Sequence, residues 1–187
     1  MKVMCGGNME TKRLILRKTE LTDCKLFYNW QKDSDVVEYL AFDKDLEYED
    51  VVRDFVIESN DSARQLFTIL LKDRDMPIGR VIISRINHKE NSMDITKIYI
   101  GELKHQNKGY GREAIIAILE CAFLDLNMER VTLDFFVENK RAEALYKKIG
   151  FQYEGLMRNA CKKDGKYYDL KLMSMLRNEY FALYKKN

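Results

Sequence analysis

The chain has 187 residues, of which 46% are hydrophobic and 33% charged, the size and mixture of a single folded core rather than a disordered or membrane-embedded chain. Its 32 Lys and Arg nearly balance 30 Asp and Glu, for a net charge of +2, so there is no global basic field of the kind that drives nucleic-acid binding. Cys5, Cys24, Cys121 and Cys161 lie far apart with only 2 histidines in the chain, and no apolar run reaches the roughly 18 residues of a membrane span. The expectation is buried or idle thiols, no metal, no disulfide framework, no membrane partner and a cytoplasmic setting.

Residues 1–8 (MKVMCGGN) precede a second methionine, Met9, and match no structural pattern. A disordered extension or an early start codon is expected there, with one folded domain over 9–187. Arg13 to Lys18 reads as a short apolar-centred strand, and Leu21-Thr22-Asp23 offers a helix cap ahead of Leu26, Phe27 and Trp30. Asp33-Ser34-Asp35 breaks that helix. The polar stretch from Asp43 to Glu49 leads into Val51, Val52, Phe55 and Val56, spaced for a second amphipathic helix.

From Gln65 the pattern turns to strands: Leu66 to Leu71, Ile78 to Ile86 and Met93 to Ile100, joined by polar turns short enough to require an antiparallel meander. Gly109 to Leu126 carries Ala114, Ile115, Ile118, Leu119, Ala122 and Phe123 on one helical stripe, and a strand comes next over Val131 to Val137. Lys140 to Lys148 is a short helix closed by Gly150. The segments Phe151 to Cys161 and Tyr167 to Leu176 flank a turn at Lys163 to Lys166, and a brief polar helix ends the chain. The class is α+β, a mostly antiparallel central sheet with helices on both faces.

The sharpest local feature is Gln106-Asn107-Lys108-Gly109-Tyr110-Gly111, set between the strand ending at Ile100 and the long helix. Two glycines remove side-chain bulk so that backbone N–H groups can converge on an anion, and the helix dipole adds positive potential for a phosphate. A structural turn with glycine caps explains the same letters. The motif is not a P-loop and lacks the third glycine of the dinucleotide fingerprint.

Beyond the next strand comes Glu138-Asn139-Lys140-Arg141-Ala142-Glu143-Ala144-Leu145-Tyr146-Lys147-Lys148-Ile149-Gly150-Phe151. The order Q-x-x-G-x-G, helix, strand, N-x-x-A-x-x-L-Y-x-x-x-G-F resembles the GNAT superfamily of acyl-CoA N-acyltransferases. The opening Thr-Lys-Arg-Leu-Ile-Leu-Arg, the Ile100-Gly101 to Glu113-Ala114 segment and the closing Gly-Lys-Tyr-Tyr-Asp-Leu look like its Rim-type branch, whose members acetylate protein N-termini, polyamines, aminoglycosides or sugar amines.

The resemblance implies acetyl-CoA as cosubstrate, with no metal, and an amine as acceptor. Backbone groups near Ile98 and Ile100 would pair with the pantetheine arm, and N–H groups of Lys108, Gly109, Gly111 and Arg112 would hold the pyrophosphate, with Gln106 in the same turn. Asn139 would touch the coenzyme near its thioester, and Tyr146 would protonate the departing thiolate. Amine attack on a thioester needs an acid near the leaving sulfur, which a phenol can supply. A core tyrosine and a helix N-cap are the structural alternatives for the same two residues.

The general base is less defined. Glu102 comes after the coenzyme strand and Asp94 begins it; many Rim-type sequences carry a glutamate early in this strand, whereas here the positions nearer its middle are Thr96 and Lys97. Surface carboxylates and water-mediated proton loss are the alternatives. Tyr153, Tyr167, Tyr168, Asp169 and the acidic residues over 43–50 are candidates to line the amine cleft. A small amine, either a polyamine or an amino sugar or aminoglycoside, is favoured over a protein N-terminus, a non-catalytic acyl-CoA sensor is the reading from another class, and the oligomeric state is a monomer or a homodimer.

Overall fold

The computed structural model describes residues 7–42 and 45–185. The first strands, β1 (Met9–Glu10) and β2 (Leu14–Lys18), lead into α1 (Cys24–Lys32), α2 (Ser34–Val37) and α3 (Tyr48–Asn60). The meander is β3 (Gln65–Leu71), β4 (Met76–Asn87) and β5 (Ser92–Ile100). After it come α4 (Tyr110–Glu120), β6 (Arg130–Phe136), α5 (Lys140–Ile149), β7 (Gln152–Lys163), β8 (Lys166–Leu176) and α6 (Arg177–Tyr184). All eight strands form one sheet in the order β1-β2-β3-β4-β5-β6-β8-β7. The extension expected over 1–8 falls largely outside the described residues.

Two apolar clusters cover the two faces. One joins the inward residues of the sheet to Ile115, Ile118, Leu119 and Phe123 and to Tyr146 and Tyr180, so α4, α5 and α6 lie on that side. The other gathers Cys24, Phe27, Trp30, Val36, Val51 and Tyr99 under α1, α2 and α3. All seven residues of β3 are buried, as a central strand covered on both faces must be. The terminal helix is less polar in its packing than its letters suggest. It buries Tyr180 against Phe123, 5.0 Å between ring centroids, and the Tyr184 hydroxyl donates to Ile149 O at 2.7 Å.

The feature that makes room for a site is a fork. Every sheet pairing is antiparallel except β5 with β6, which run parallel and pair only at Ser92↔Arg130, Met93↔Val131 and Asp94↔Thr132. Beyond Asp94 the strands part. Ile83 pairs with Ile95 and Ile82 with Lys97, leaving Thr96 as one extra residue, a β-bulge that bends the strand and reverses the facing of the residues beyond it. Met93 and Ile95 face the α4 side before the bulge; after it Ile98 and Ile100 face that side and Tyr99 faces α1.

Asp94 stands at the base of the fork. It is buried, accepting from Thr132 Oγ1 at 2.6 Å and Thr96 Oγ1 at 2.9 Å, with Arg85 Nη2 at 3.2 Å. The surface carboxylate expected at this position is therefore a buried fastening between the two strands. Cys24 and Cys161 are free thiols, whereas Cys121 is disulfide-bonded, which corrects the expectation of idle thiols at that position. Among the described residues no helix is long and apolar enough to cross a membrane.

Candidate active site

The fork opens into a cavity of about 430 Å³. Its floor is the end of β5 at Ile98, Tyr99 and Ile100; one wall is the turn and first residues of α4, and the other is Asn139, Ala142, Leu145 and Tyr146 at the start of α5. Asp35, Val36, Glu38, Tyr39 and Leu40, from α2 and the residues after it, form the roof. Of the residues singled out by sequence, Ile98, Ile100, Gln106, Gly109, Gly111, Arg112, Asn139 and Tyr146 line this one space, while Lys108 and Glu102 do not.

At the α4 end the chain reverses through Gly109, whose φ of 80° is one that a side chain would oppose. The Glu113 N–H donates to Gly109 O at 3.1 Å, so the amides of the preceding turn have no carbonyl of their own helix to reach and point out of its end. A Cβ added at Gly111 would meet nothing within 4 Å. The Gln106 amide nitrogen donates to Ile100 O at 3.0 Å and ties this turn to the strand beneath it. Open space in front of unpaired amides at a helix N-terminus fits a pyrophosphate.

The turn is braced from far away in the sequence. Thr11 Oγ1 donates to Glu113 Oε1 at 2.6 Å, Arg13 Nε to Glu113 Oε2 at 2.6 Å, and Arg13 Nη1 to Lys108 O at 3.0 Å. The same guanidinium lies 4.5 Å over the Tyr110 ring. Burial disfavours the charged form of Glu113, yet the hydrogen bonds from Thr11 and Arg13 outweigh it and hold the carboxyl below its ordinary range. His105 also lines the cavity, packed on Tyr110 with 6.0 Å between ring centroids, and both its ring nitrogens are buried without a hydrogen-bond partner among the described residues. Burial, and after it the charges of Lys108 and Lys104, lowers its pKa. Thr11, Arg13 and Glu113 entered the sequence reading only as letters of the Rim-type segments and His105 not at all, because what marks them is contact across the fold.

At the α5 end Asn139 is the helix N-cap, its Oδ1 accepting from the Ala142 N–H at 2.9 Å, while its amide nitrogen is left for the cavity. Tyr146 sits between Phe135 and Phe151, at centroid distances of 5.3 and 6.0 Å. Burial first, and then the charge of Asp134, push its phenol up to about 12. Such a phenol keeps its proton at neutral pH, so it is present as an acid when charge develops on a neighbouring atom.

The other residues considered for the acceptor side lie elsewhere. Glu102 Oε1 accepts from Trp30 Nε1 at 3.2 Å and Oε2 lies 3.6 Å from Lys104 Nζ, outside the cavity lining. Residues 43 and 44 are outside the described residues. Glu47 and Asp50 serve the start of α3, where the Glu47 N–H donates to Asp50 Oδ2 at 3.0 Å. Tyr168 packs on Phe136, Tyr167 and Tyr153 are exposed, and Asp169 accepts from the Asn159 N–H at 2.8 Å.

The acidic groups at the cavity are instead Asp35 and Glu38. Asp33, read as a helix breaker, also starts α2 by accepting from the Asp35 N–H at 3.0 Å. Lys163, near the tip of the β7–β8 hairpin, donates to Val37 O at 2.6 Å and Glu38 O at 2.7 Å and holds this roof in place. The Tyr39 phenol is raised by its hydrogen bond to Glu38.

Known proteins match this arrangement along most of the chain. Residues 13–152 match the family model of the acetyltransferase (GNAT) domain. An uncharacterized N-acetyltransferase of Bacillus subtilis, YnaD, is 28% identical, the match covering 92% of this chain and 99% of the relative. Spermidine N(1)-acetyltransferase of Vibrio cholerae is 27% identical, with 90% and 95% covered. The crystal structure of spermidine N-acetyltransferase from Vibrio cholerae in complex with CoA and spermine superposes with a TM-score of 0.81 at 27% identity, covering 91% of this chain and 99% of that one. The forked sheet, the helix N-terminus facing the fork and these matches together establish that the chain is an N-acetyltransferase belonging to the GNAT family.

Proposed function

We propose that the enzyme transfers an acetyl group from acetyl-CoA to a primary amine of a small polycationic acceptor, a polyamine before an amino sugar or a protein N-terminus. The observation that carries this reading is the asymmetry of the cavity. One end presents backbone amides for an anion, and the roof at the other presents two exposed carboxylates, Asp35 and Glu38, suited to the remaining positive charges of a polyamine. The spermidine acetyltransferases among its relatives support the same acceptor class.

The cosubstrate supplies an activated acyl thioester. In this reading the N–H groups of Lys108, Gly109, Gly111 and Arg112 hold its pyrophosphate, and backbone groups of Ile98 together with the N–H of Ile100, where β6 turns away, pair with the pantetheine arm; Ile100 O is already taken by Gln106. Gln106 positions the turn through Ile100, and Asn139 offers its amide nitrogen near the acyl end while capping α5. Tyr146 holds a proton for the departing sulfur. Glu102 is not retained in the catalytic set, because it is engaged by Trp30 and lies off the cavity.

Thiol release from acetyl-CoA by the purified protein, run against spermidine, spermine, amino sugars, aminoglycosides and short peptides with free N-termini, tests the proposal. Release confined to the polyamines is the expected outcome. Release with peptides alone would replace it by N-terminal acetylation, and coenzyme binding without release on any amine would favour a sensor.

A further inference from the structure

The roof segment depends on support from outside itself. α2 has only 4 residues, Ser34 to Val37, and a helix this short gains little from its own hydrogen bonds, since its final carbonyls have no partner within it. Val36 is buried, and Val37 and Leu40 pack against the same apolar cluster, which secures one side of the segment. Its other side carries Asp35 and Glu38, both exposed and both lining the cavity. The end of α2 is tied down by Lys163, whose Nζ donates to Val37 O at 2.6 Å and to Glu38 O at 2.7 Å, across 126 and 125 residues of chain. A cation on the last carbonyls of a helix satisfies them and complements the negative end of the helix dipole.

The hairpin aims Lys163 at this point. β7 and β8 end on the pair Lys163↔Lys166, joined by Asp164 and Gly165, whose φ values of 50° and 76° belong to a tight two-residue turn that matches the twist of its strands. Lower down, the register slips between Met157 and Cys161. Asn159 takes a φ of 51° there and its N–H donates to Asp169 Oδ1 at 2.8 Å. An irregularity of this kind bends the strand and increases its twist, and the tip beyond it meets the end of α2.

Resting on the amine-acetylation reading, we propose that Lys163 is the positioning residue of the acceptor end: clamped on the end of α2, it fixes where Asp35 and Glu38 stand, so the tip of the β7–β8 hairpin sets the preference for a polycationic amine. It acts through two backbone carbonyls and does not itself line the cavity. Its own charge has the wrong sign for a direct role. An ammonium beside the roof repels a polyamine, so removing it as a charge alone would tighten polyamine binding, whereas removing it as a clamp weakens it. The two roles predict opposite signs.

The test is steady-state acetylation of spermidine and of a monoamine by wild type, Lys163→Met and Lys163→Arg, and by Lys163→Met placed on the Asp35→Asn, Glu38→Gln background. Lys163→Met keeps the apolar stem and loses the donors. Its spermidine KM is expected to rise roughly 3-fold to 10-fold with kcat kept, the loss that misplacing two exposed charges would cause, while the monoamine KM moves less than about twofold. Lys163→Arg keeps charge and donors, and its spermidine KM is expected within about twofold of wild type. Where both carboxylates are already gone, Lys163→Met adds no further rise, because it acts through them. A spermidine KM that falls or stays level in Lys163→Met, an equal rise for the monoamine, or a full further rise on the carboxylate-free background overturns the assignment. A wild type that acetylates no amine overturns the functional reading itself, so the two failures are distinguishable.

Discussion

The two ends of the cavity are built on different principles. The end proposed for the coenzyme is contiguous backbone at the start of α4, stiffened by Thr11, Arg13 and Glu113. The end proposed for the amine is assembled from side chains, Asp35 and Glu38 on the roof, with Lys163 from a distant hairpin as a brace. A site that grips backbone-sized features of an invariant ligand can be rigid and local. A site that selects among amines does so through charge placement, which a few side chains can change without altering the fold.

The contrast is broken most forcefully at the coenzyme end. Gly111→Glu puts a carboxylate into the space in front of the α4 amides, and like-charge apposition there costs several kcal/mol. Coenzyme affinity measured by calorimetry is expected to fall by at least about 100-fold, while the thermal midpoint stays near that of wild type because nothing lies within 4 Å of the added Cβ. Tyr146→Phe separates chemistry from binding, with kcat lowered by about 100-fold and coenzyme affinity kept. Equal kcat would remove Tyr146 from the acid role.

Smaller effects sharpen the comparison. Arg13→Ala removes the hydrogen bonds to Glu113 and to Lys108 O without touching the cavity, and a loss of about 1–2 kcal/mol in turn rigidity predicts roughly tenfold weaker coenzyme binding. Glu113 has a folded pKa below its unfolded value of about 4.3, so its contribution to stability is present above that value and disappears as pH falls through the folded pKa. Urea midpoints from pH 7 to pH 3 are therefore expected to drop less in Glu113→Gln than in wild type.

At the acceptor end, Asp35→Asn combined with Glu38→Gln removes two exposed charges worth about 0.2–1 kcal/mol each. The polyamine KM is expected to rise roughly 3-fold to 10-fold with kcat unchanged, and a monoamine is expected to show no change. Equal effects on both amines would mean that the roof does not read charge.

Legibility in the sequence divides the same way. Q-x-x-G-x-G and N-x-x-A-x-x-L-Y stood out because a helix N-terminus and the capped helix after β6 are local events with local letters, and the structure brings both to one cavity. The Arg13–Glu113 clamp has no local signature. Asp94 read as a surface carboxylate because nothing in its own strand reveals that Thr132, 38 residues later, closes over it. Asp35 read only as part of a helix break, since its place on the roof depends on how α2 crosses the fork. The insertion of β8 between β6 and β7 is likewise a matter of long-range pairing, and the bulge at Thr96 shows itself only as a slip in register.

The most direct test of the central claim is the mass of the product formed when purified protein is incubated with acetyl-CoA and spermidine. Singly acetylated spermidine accumulating one for one with released thiol is the predicted result. Thiol released without acetylated polyamine, or none released while the coenzyme binds, would contradict it.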